Sequence, residues 1–394
     1  MTSLSIGLFT YSTVPRGSVV HTANLADALH DAGCDVTVYA LDKERRGFFR
    51  PLRARLCLVP ASSTPSTTAE LVRTRAVELV DHLARLAPAH DVYHAEDCLT
   101  ANGLDRLRAR LGPAHAFPLV RTVHHVEAFS DEYLADCQSR SILGASLCLA
   151  VSKASARDVL HEFGVRAVPV TNGVHVERFA RVDPRRLAAW TQKMYAGSGP
   201  VILAVGGVEE RKNTLGTLRA FARVREQYPT ARLWILGGAT VLDHGAYRAA
   251  FDQELAKHCA SPMSLRASVT ELGVVDDEDV PAIFRLASVL AFPSLHEGFG
   301  LAALEGLAAR LPVIASRRAP LTEFLDESCA VLVDPESDAD IARGIVEALR
   351  KPSRSRGDAG ELRARSHSWS RVAALHLEHY RGLRASRIDE VHHA

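Results

Sequence analysis

The chain lacks the short signatures from which an activity is commonly read. No GxGxxG follows its first apolar run and no GxxxxGK[ST] occurs anywhere, which removes the usual dinucleotide and P-loop assignments. His161-Glu162 and His296-Glu297 both fail as the start of HExxH, because the fifth positions are Val165 and Gly300, and there is no GxSxG elbow. Seven cysteines, at 34, 57, 98, 137, 148, 259 and 329, form no CxxC. An odd number at such spacing argues against a disulfide framework and for reduced, mostly buried thiols in a cytoplasmic protein. Apolar runs long enough to cross a bilayer are missing, and the first residues enter an apolar strand-like run without a basic n-region. Charge of one sign is missing too: 47 Lys and Arg against 46 Asp and Glu leave a net charge of +1. No general field favours nucleic acid or an anionic surface, so any electrostatic preference must be local.

What is present is a chain of 394 residues, too long for one ordinary core, in which short β-rich runs alternate with longer amphipathic ones. Strands are expected at Ile6–Phe9, Val36–Tyr39, Asp91–His94, Leu119–Val123, Leu147–Val151 and Ala167–Val170, with helices such as Val19–Ala32, Thr68–Leu86 and Ala154–Phe163 between them. Such alternation predicts βαβ units and parallel sheets covered on both faces. The pattern pauses in a mixed polar stretch ending Ala196-Gly197-Ser198-Gly199-Pro200, then restarts with Val201–Val205, Leu233–Leu236, Val289–Phe292, Pro312–Ala315 and Ala330–Val333. The economical reading is an α/β chain of two Rossmann-like, doubly wound domains facing a central cleft. The expected parts are residues 1–178, a linker over 179–199, a second domain over 200–365 and a returning helix over 366–386. Ser353–Gly360 is polar and reads as a mobile loop, and the residues ending His392-His393-Ala394 read as a disordered tail.

Two local patterns carry chemistry. In His296-Glu297-Gly298-Phe299-Gly300-Leu301-Ala302-Ala303-Leu304-Glu305, the glycines oppose helix at the front and strong helix formers follow. Glu297 is therefore expected in a strand-to-helix loop and Glu305 about a turn into the helix. The helix start, with free backbone N–H groups around Phe299, Gly300 and Leu301, suits a phosphate, while carboxylates accept hydrogen bonds from hydroxyls. A ligand with sugar, diphosphate and ribose in series fits that layout; the plain alternative is a turn and a solvated glutamate. The second pattern is Val205-Gly206-Gly207-Val208-Glu209-Glu210-Arg211-Lys212-Asn213. A basic residue at a helix start is unfavourable unless it meets an anion, which makes Lys212 a candidate for a diphosphate leaving group. Asp276-Asp277-Glu278-Asp279 is not read as a metal site, because acidic residues opening a helix through Leu286 satisfy its dipole.

Together these residues resemble the retaining glycosyltransferases of family four, which have the GT-B fold. The strings "VGGVEERKN", "LWILGG", "LGVVDDEDVPAIFRLASVLAFPSLHEGFGLAALEGLAARLPVIAS" and "LVDP" follow in that family's order, and "RGSVVHTANLADALHDAGCDVTVYA", "TVHH", "AVSKASARDVL" and "VTNGVHVERF" extend the likeness through the first half. The resemblance implies a metal-independent hexosyl transfer with retention, from a UDP- or GDP-sugar to a hydroxyl acceptor, with no cofactor besides the donor. It assigns Glu297 to the donor sugar, Glu305 to the ribose, Lys212 to the diphosphate, and the backbone of Gly298, Phe299, Gly300 and Leu301 to phosphate. It implies that Val274 and Val275 meet the base, that Gly17 in the loop after the first strand lets backbone approach the donor, and that His124 lies near the transferred sugar. Gly207 stands where the family has arginine, and Arg211 is the candidate replacement. His124-His125 also invites a metal reading, which no further ligand spacing supports. Rival activities on the same fold are nucleotide-sugar hydrolysis, epimerisation or phosphorolysis, and a rival of another class is a non-catalytic nucleotide-sugar-binding module. Finally, residues 42–55, "DKERRGFFRPLRAR", hold six basic and two acidic residues around Phe48-Phe49. An anionic acceptor or peripheral contact with the inner membrane face is the partner expected of such a run, against a plain solvated loop.

Overall fold

The structure is a computed structural model that describes residues 3–43, 45–61, 65–112, 117–194, 199–238, 245–257, 265–350 and 353–392. Cys259, Gly197, Ser198, His393 and Ala394 lie outside the described residues. The chain divides into two compact units, one of residues 1–173 with 369–394 and one of residues 174–368.

The first unit is a seven-stranded parallel sheet of β1 (Ser5–Thr10), β2 (Asp35–Asp42), β3 (Arg55–Pro60), β4 (Val92–Ala95), β5 (Leu119–Val123), β6 (Leu147–Ala150) and β7 (Val168–Pro169), in the order β3-β2-β1-β4-β5-β6-β7. The second is a six-stranded parallel sheet of β8 (Val201–Val205), β9 (Arg232–Leu236), β10 (Val269–Gly273), β11 (Val289–Phe292), β12 (Val313–Ser316) and β13 (Val331–Val333), in the order β10-β9-β8-β11-β12-β13. Strands such as Ile6, Leu8 and Phe9 of β1 or Ile202 and Leu203 of β8 are fully buried, as expected where helices cover both sheet faces. The alternation legible in the sequence therefore produces both sheets. The two strands it does not reveal, β3 and β10, are edge strands, the first largely exposed and the second largely half-buried, and neither forms a continuous apolar run.

Two expectations change. Polar Ser353–Gly360 is not a loop but the start of helix Arg354–Arg365: the Ser353 hydroxyl caps it by accepting from the Arg356 amide at 3.2 Å, and Gly360 lies against Leu307. Its polarity serves ion pairs, with Glu361 bound by Arg310 and Arg365. Within the stretch expected to be a linker, Pro184–Met194 is an amphipathic helix that buries Trp190. Helix Trp369–His392 packs against Gly17–Asp31 in the first unit. Among the described residues no helix is long and apolar enough to cross a membrane, and six cysteines are free.

In each sheet the chain order reverses once, between β1 and β4 and between β8 and β11. Loops leaving the carboxyl ends of such a strand pair diverge, which is where open α/β sheets place their ligands. Of the residues singled out in the sequence, Gly17, His124, Lys212 and Glu297 follow these four strands or an immediate neighbour, and Val274 and Val275 follow the edge strand β10.

Candidate functional site

In the second unit, β8 runs into Gly206 and Gly207, whose amides both donate to Leu236 O at the end of β9. Gly206 has φ +123°, and a Cβ there would meet the aliphatic stem of Lys212 at 2.7–2.9 Å, so the glycine makes room for the lysine to fold back over the strand end. Across the reversal point, the amides of Leu295 and His296 donate to Arg211 O at 2.8 and 3.2 Å, which fastens the loop after β11 to the loop after β8. Asn213, with φ +55°, completes the frame by donating to Pro293 O and Pro335 O.

The fastening brings together Lys212 and Glu297, 85 residues apart: Nζ lies 2.5 Å from Oε1, with both side chains nearly out of solvent. Arg211 forms an ion pair with Glu209 at 3.0 Å and lies 3.8 Å from the other Glu297 oxygen. Burial works against both charges of the pair. It pulls the Lys212 ammonium below the ordinary lysine value even though Glu297 favours the charge. For Glu297 burial pushes upward, but Lys212 and then Arg211 outweigh it and hold the carboxyl below its usual range. The result is an ionised pair in a half-dry setting, with a cation beside the helix start that follows Gly300.

That helix, Leu301–Ala308, is preceded by Gly300 at φ +108°. The Ala303 amide donates to Gly300 O at 3.0 Å, whereas those of Leu301 and Ala302 have no intrahelical acceptor and can hold an anion. Phe299, stacked on Phe324 with centroids 4.8 Å apart, anchors the loop. Glu305 sits one turn along; burial raises its carboxyl to about 7, with Arg178 opposing and Asp277 reinforcing the shift. A raised carboxyl makes the folded state bind the extra proton, so its contribution to stability is lost as pH rises from about 4.5 to about 7. Glu305→Gln should therefore gain melting temperature relative to the natural chain between pH 5 and pH 8. A constant difference across parallel scans would contradict the assignment.

Gly207 has a structural reason to differ from the family's arginine. Its φ is +75°, and a Cβ would stand 2.7 Å from Gly238 O. Gly207→Arg should lower the melting temperature by the equivalent of about 1–3 kcal/mol and bring no gain in donor affinity. A stable variant with tighter donor binding would show that this loop adapts. Arg211, its candidate replacement, is aimed at the Lys212–Glu297 pair and not away from it.

Val274 and Val275 follow β10 in the same crescent of strand ends, where the amide of Gly237 donates to Gly273 O and Val274 is exposed. The acidic run beside them is engaged by arginines: Arg178 meets Asp277, and Arg186 meets Glu278 and Asp279. It begins a 3-10 turn at Asp277–Asp279 that leads into helix Val280–Leu286.

In the first unit, Gly17 is the first residue of helix Gly17–Asp31 and no longer loop; a Cβ there would meet nothing within 4 Å, so no packing within the unit demands glycine. His124 and His125, adjacent in sequence, take different carboxylates: His124 Nε2 lies 3.0 Å from Glu96 and His125 Nε2 2.6 Å from Glu127. The sequence reading missed the groups around His124. His21 on helix Gly17–Asp31, His94 and Glu96 at the end of β4, and Asn172 beyond β7 are all buried. His21 donates from Nδ1 to Asn172 Oδ1 at 2.7 Å, and burial drives its pKa down to about 4. Burial raises Glu96 and lowers His94 and His124. The available signal was a histidine amid the apolar positions of helix Gly17–Asp31 and the unusual "HAED" ending an otherwise apolar strand. His21, Glu96 and His124 form the grouping among the described residues compact enough to share an ion, with ligand atoms within 4.8 Å of one another.

The basic stretch over residues 42–55 is less free than its composition suggests. Arg50 bonds Asp27 at 2.7 Å and Asn24 at 3.0 Å, Arg53 pairs with Asp31, and Arg55 pairs with Asp35. Arg50, Arg53 and Arg55 are thus answered by carboxylates of the unit itself.

Comparison with known proteins agrees with this fold. The model of the Glyco_transf_4 family, "Glycosyltransferase Family 4", matches residues 15–178, and that of "Glycosyl transferases group 1" matches residues 192–365. The chain is 30% identical to an MMP alpha-(1->4)-mannosyltransferase of Mycolicibacterium hassiacum over 72% of this chain and 68% of that one. It is 26% identical to a D-inositol 3-phosphate glycosyltransferase of Pseudarthrobacter chlorophenolicus over 92% of this chain and 90% of that one. Among solved structures it is similar to Anabaena HepE in complex with UDP-glucose, with TM-score 0.74 and 16% identity over 96% of this chain and 99% of that one. With two parallel-sheet Rossmann-like units, GT-B neighbours and both halves matched, the chain belongs to the group 1 glycosyl transferases of glycosyltransferase family 4.

Proposed function

We propose that this glycosyltransferase moves a hexosyl unit, with retention and without a metal, from a nucleoside diphosphate sugar to a hydroxyl acceptor. The observation that carries the reading is the Lys212–Glu297 pair, held at 2.5 Å beside the Gly300-led helix start. A donor entering there divides the pair: Lys212 turns to the diphosphate, Glu297 accepts from sugar hydroxyls, and the first-turn amides of Leu301–Ala308 hold phosphate. Arg211 supplies the cation that Gly207 cannot, Glu305 takes the ribose, and Val274 and Val275 border the base. The leaving diphosphate, once its charge is stabilised, takes the proton of the attacking hydroxyl on the same face, so no dedicated protein base is needed. His124 and Gly17 are the first unit's groups for the reacting sugar.

UDP-glucose in complex with HepE supports UDP-glucose as the first donor to try, and GDP-mannose, printed in the name of a Mycobacterium tuberculosis relative, "GDP-mannose-dependent alpha-(1-6)-phosphatidylinositol dimannoside mannosyltransferase", is the second. The inositol phosphate in the name of the P. chlorophenolicus relative supports a small polyol acceptor. A thermal-shift panel of UDP, GDP and ADP sugars tests the donor, because a ligand stabilises the folded state according to its affinity. Product analysis with and without polyol acceptors then separates transfer from hydrolysis or epimerisation. No shift with any nucleotide sugar would sink the proposal.

A further inference from the structure

The strand reversal of the first unit holds a carboxyl group that no expected site residue explains. Glu96 leaves the end of β4, its amide donates to Phe9 O of β1 at 3.0 Å, and its side chain is completely buried. Burying a carboxyl without partners is costly, so its contacts should be informative. Oε2 lies 3.0 Å from Nε2 of His124 and 3.7 Å from Nε2 of His21, while Oε1 lies 3.7 Å from Nε2 of His94 and has no hydrogen-bond partner among the described residues. The two flanking rings are locked by other groups. His21 gives its Nδ1 proton to Asn172, and His94 is bound at Nδ1 by Tyr380 Oη at 2.6 Å and at Nε2 by Thr122 Oγ1 at 2.7 Å. His21, His94 and Glu96 have no exposed side-chain surface, whereas His124 is 15% exposed. A rigid buried frame thus ends in one imidazole that reaches solvent.

We infer that Glu96 is a positioning residue for His124: its carboxyl holds the ring through Nε2 and leaves Nδ1 as the nitrogen available to substrate. The inference rests on reading His124 as an active-site residue. A neutral imidazole has one donor and one acceptor nitrogen, so a fixed partner on Nε2 decides both the ring plane and what Nδ1 can do. His94, locked by Tyr380 and Thr122, stands beside the far carboxyl oxygen, and His21, held by Asn172, flanks the oxygen that meets His124, so the carboxyl stays turned toward His124. Partners of this kind commonly matter to rate while leaving the binding of distant substrate parts alone.

The test uses the full chain with UDP-glucose and GDP-mannose, reading nucleoside diphosphate release and the thermal shift each donor produces. His124→Ala, Glu96→Gln and the double variant are compared. His124→Ala and Glu96→Gln should each lower kcat by about 10- to 100-fold with donor KM and thermal shift unchanged, and the double variant should be no slower than His124→Ala. Wild-type kcat in Glu96→Gln, or losses that multiply, would overturn the inference while leaving His124 in the site. Wild-type kcat in His124→Ala would overturn the reading of His124 and the inference with it. Should Glu96→Gln not fold, ring nitrogen NMR of the natural chain decides, with His124 assigned by its loss in His124→Ala. A single tautomer bound at Nε2 is expected, and a fast-exchanging mixture overturns the proposal. One equivalent of transition metal in the purified protein, lost in Glu96→Gln, would instead make His21, Glu96 and His124 its ligands and overturn it as well.

Discussion

Lys212→Ala should lower turnover of the donor by about 100- to 1,000-fold, the range seen when one charge-stabilising group is removed from a preorganised site. Glu297→Ala should lower turnover comparably, but the two variants should part company in binding. Removing Lys212 takes away the cation that meets phosphate and leaves the Glu297 carboxylate buried without its 2.5 Å partner, so affinity for the bare nucleoside diphosphate falls. Removing Glu297 frees Lys212 from that partner. Affinity for the nucleoside diphosphate then holds or rises, and only the contribution of the sugar to binding is lost. Calorimetry with UDP or GDP beside the corresponding sugar nucleotide measures both quantities. Turnover at the wild-type level in both variants would show that the pair is structural and that the donor binds elsewhere.

Gly300→Ala is expected to damage the same site through the backbone. At φ +108° an L side chain is strained by about 1–3 kcal/mol. The added Cβ would also stand 2.4 Å from Cδ2 of Leu321, which is itself buried. For a unit of this size the melting temperature should fall by roughly 2–12 °C. Donor affinity should fall with it, because the strain is relieved only by moving the start of helix Leu301–Ala308, where the phosphate is proposed to sit. Adding Leu321→Ala removes the clash but not the positive φ. Because Leu321→Ala carries its own cavity cost, the comparison is with that single variant: in its background Gly300→Ala should cost less stability than in the natural chain and still lose donor affinity. No loss of either in that background would reduce the role of Gly300 to packing.

Much of the architecture was legible because secondary structure is encoded locally. Thr68–Leu86, Leu119–Val123, Val201–Val205 and Val289–Phe292 fall where apolar periodicity and flanking turn residues place them. Edge strands β3 and β10 escaped because only one face and few residues are covered there, so the periodic signal is weak. Helix Arg354–Arg365 escaped because its polar residues are stabilised by ion pairs with Arg310 and by capping, neither of which shows as an apolar stripe. In the candidate site, Glu297, Glu305 and the glycines could be placed on a loop-to-helix turn from spacing alone. That Gly207 could not simply be exchanged for arginine was invisible without Gly238 O beside it.

The amino-acid sequence by itself determined the two parallel α/β sheets, the position of each glycine-led strand end and the family, since each depends on residues near one another along the chain. Only the tertiary structure decided which distant groups meet. Lys212 finds Glu297 across 85 residues because strand order brings β8 beside β11, and His21, on the helix after β1, finds Asn172 beyond β7 across 151. Nothing in local spacing encodes that order. It follows from which faces bury together, and burial also raises the Glu96 carboxyl and lowers His124 and Lys212, while Lys212 and Arg211 hold Glu297 low against it.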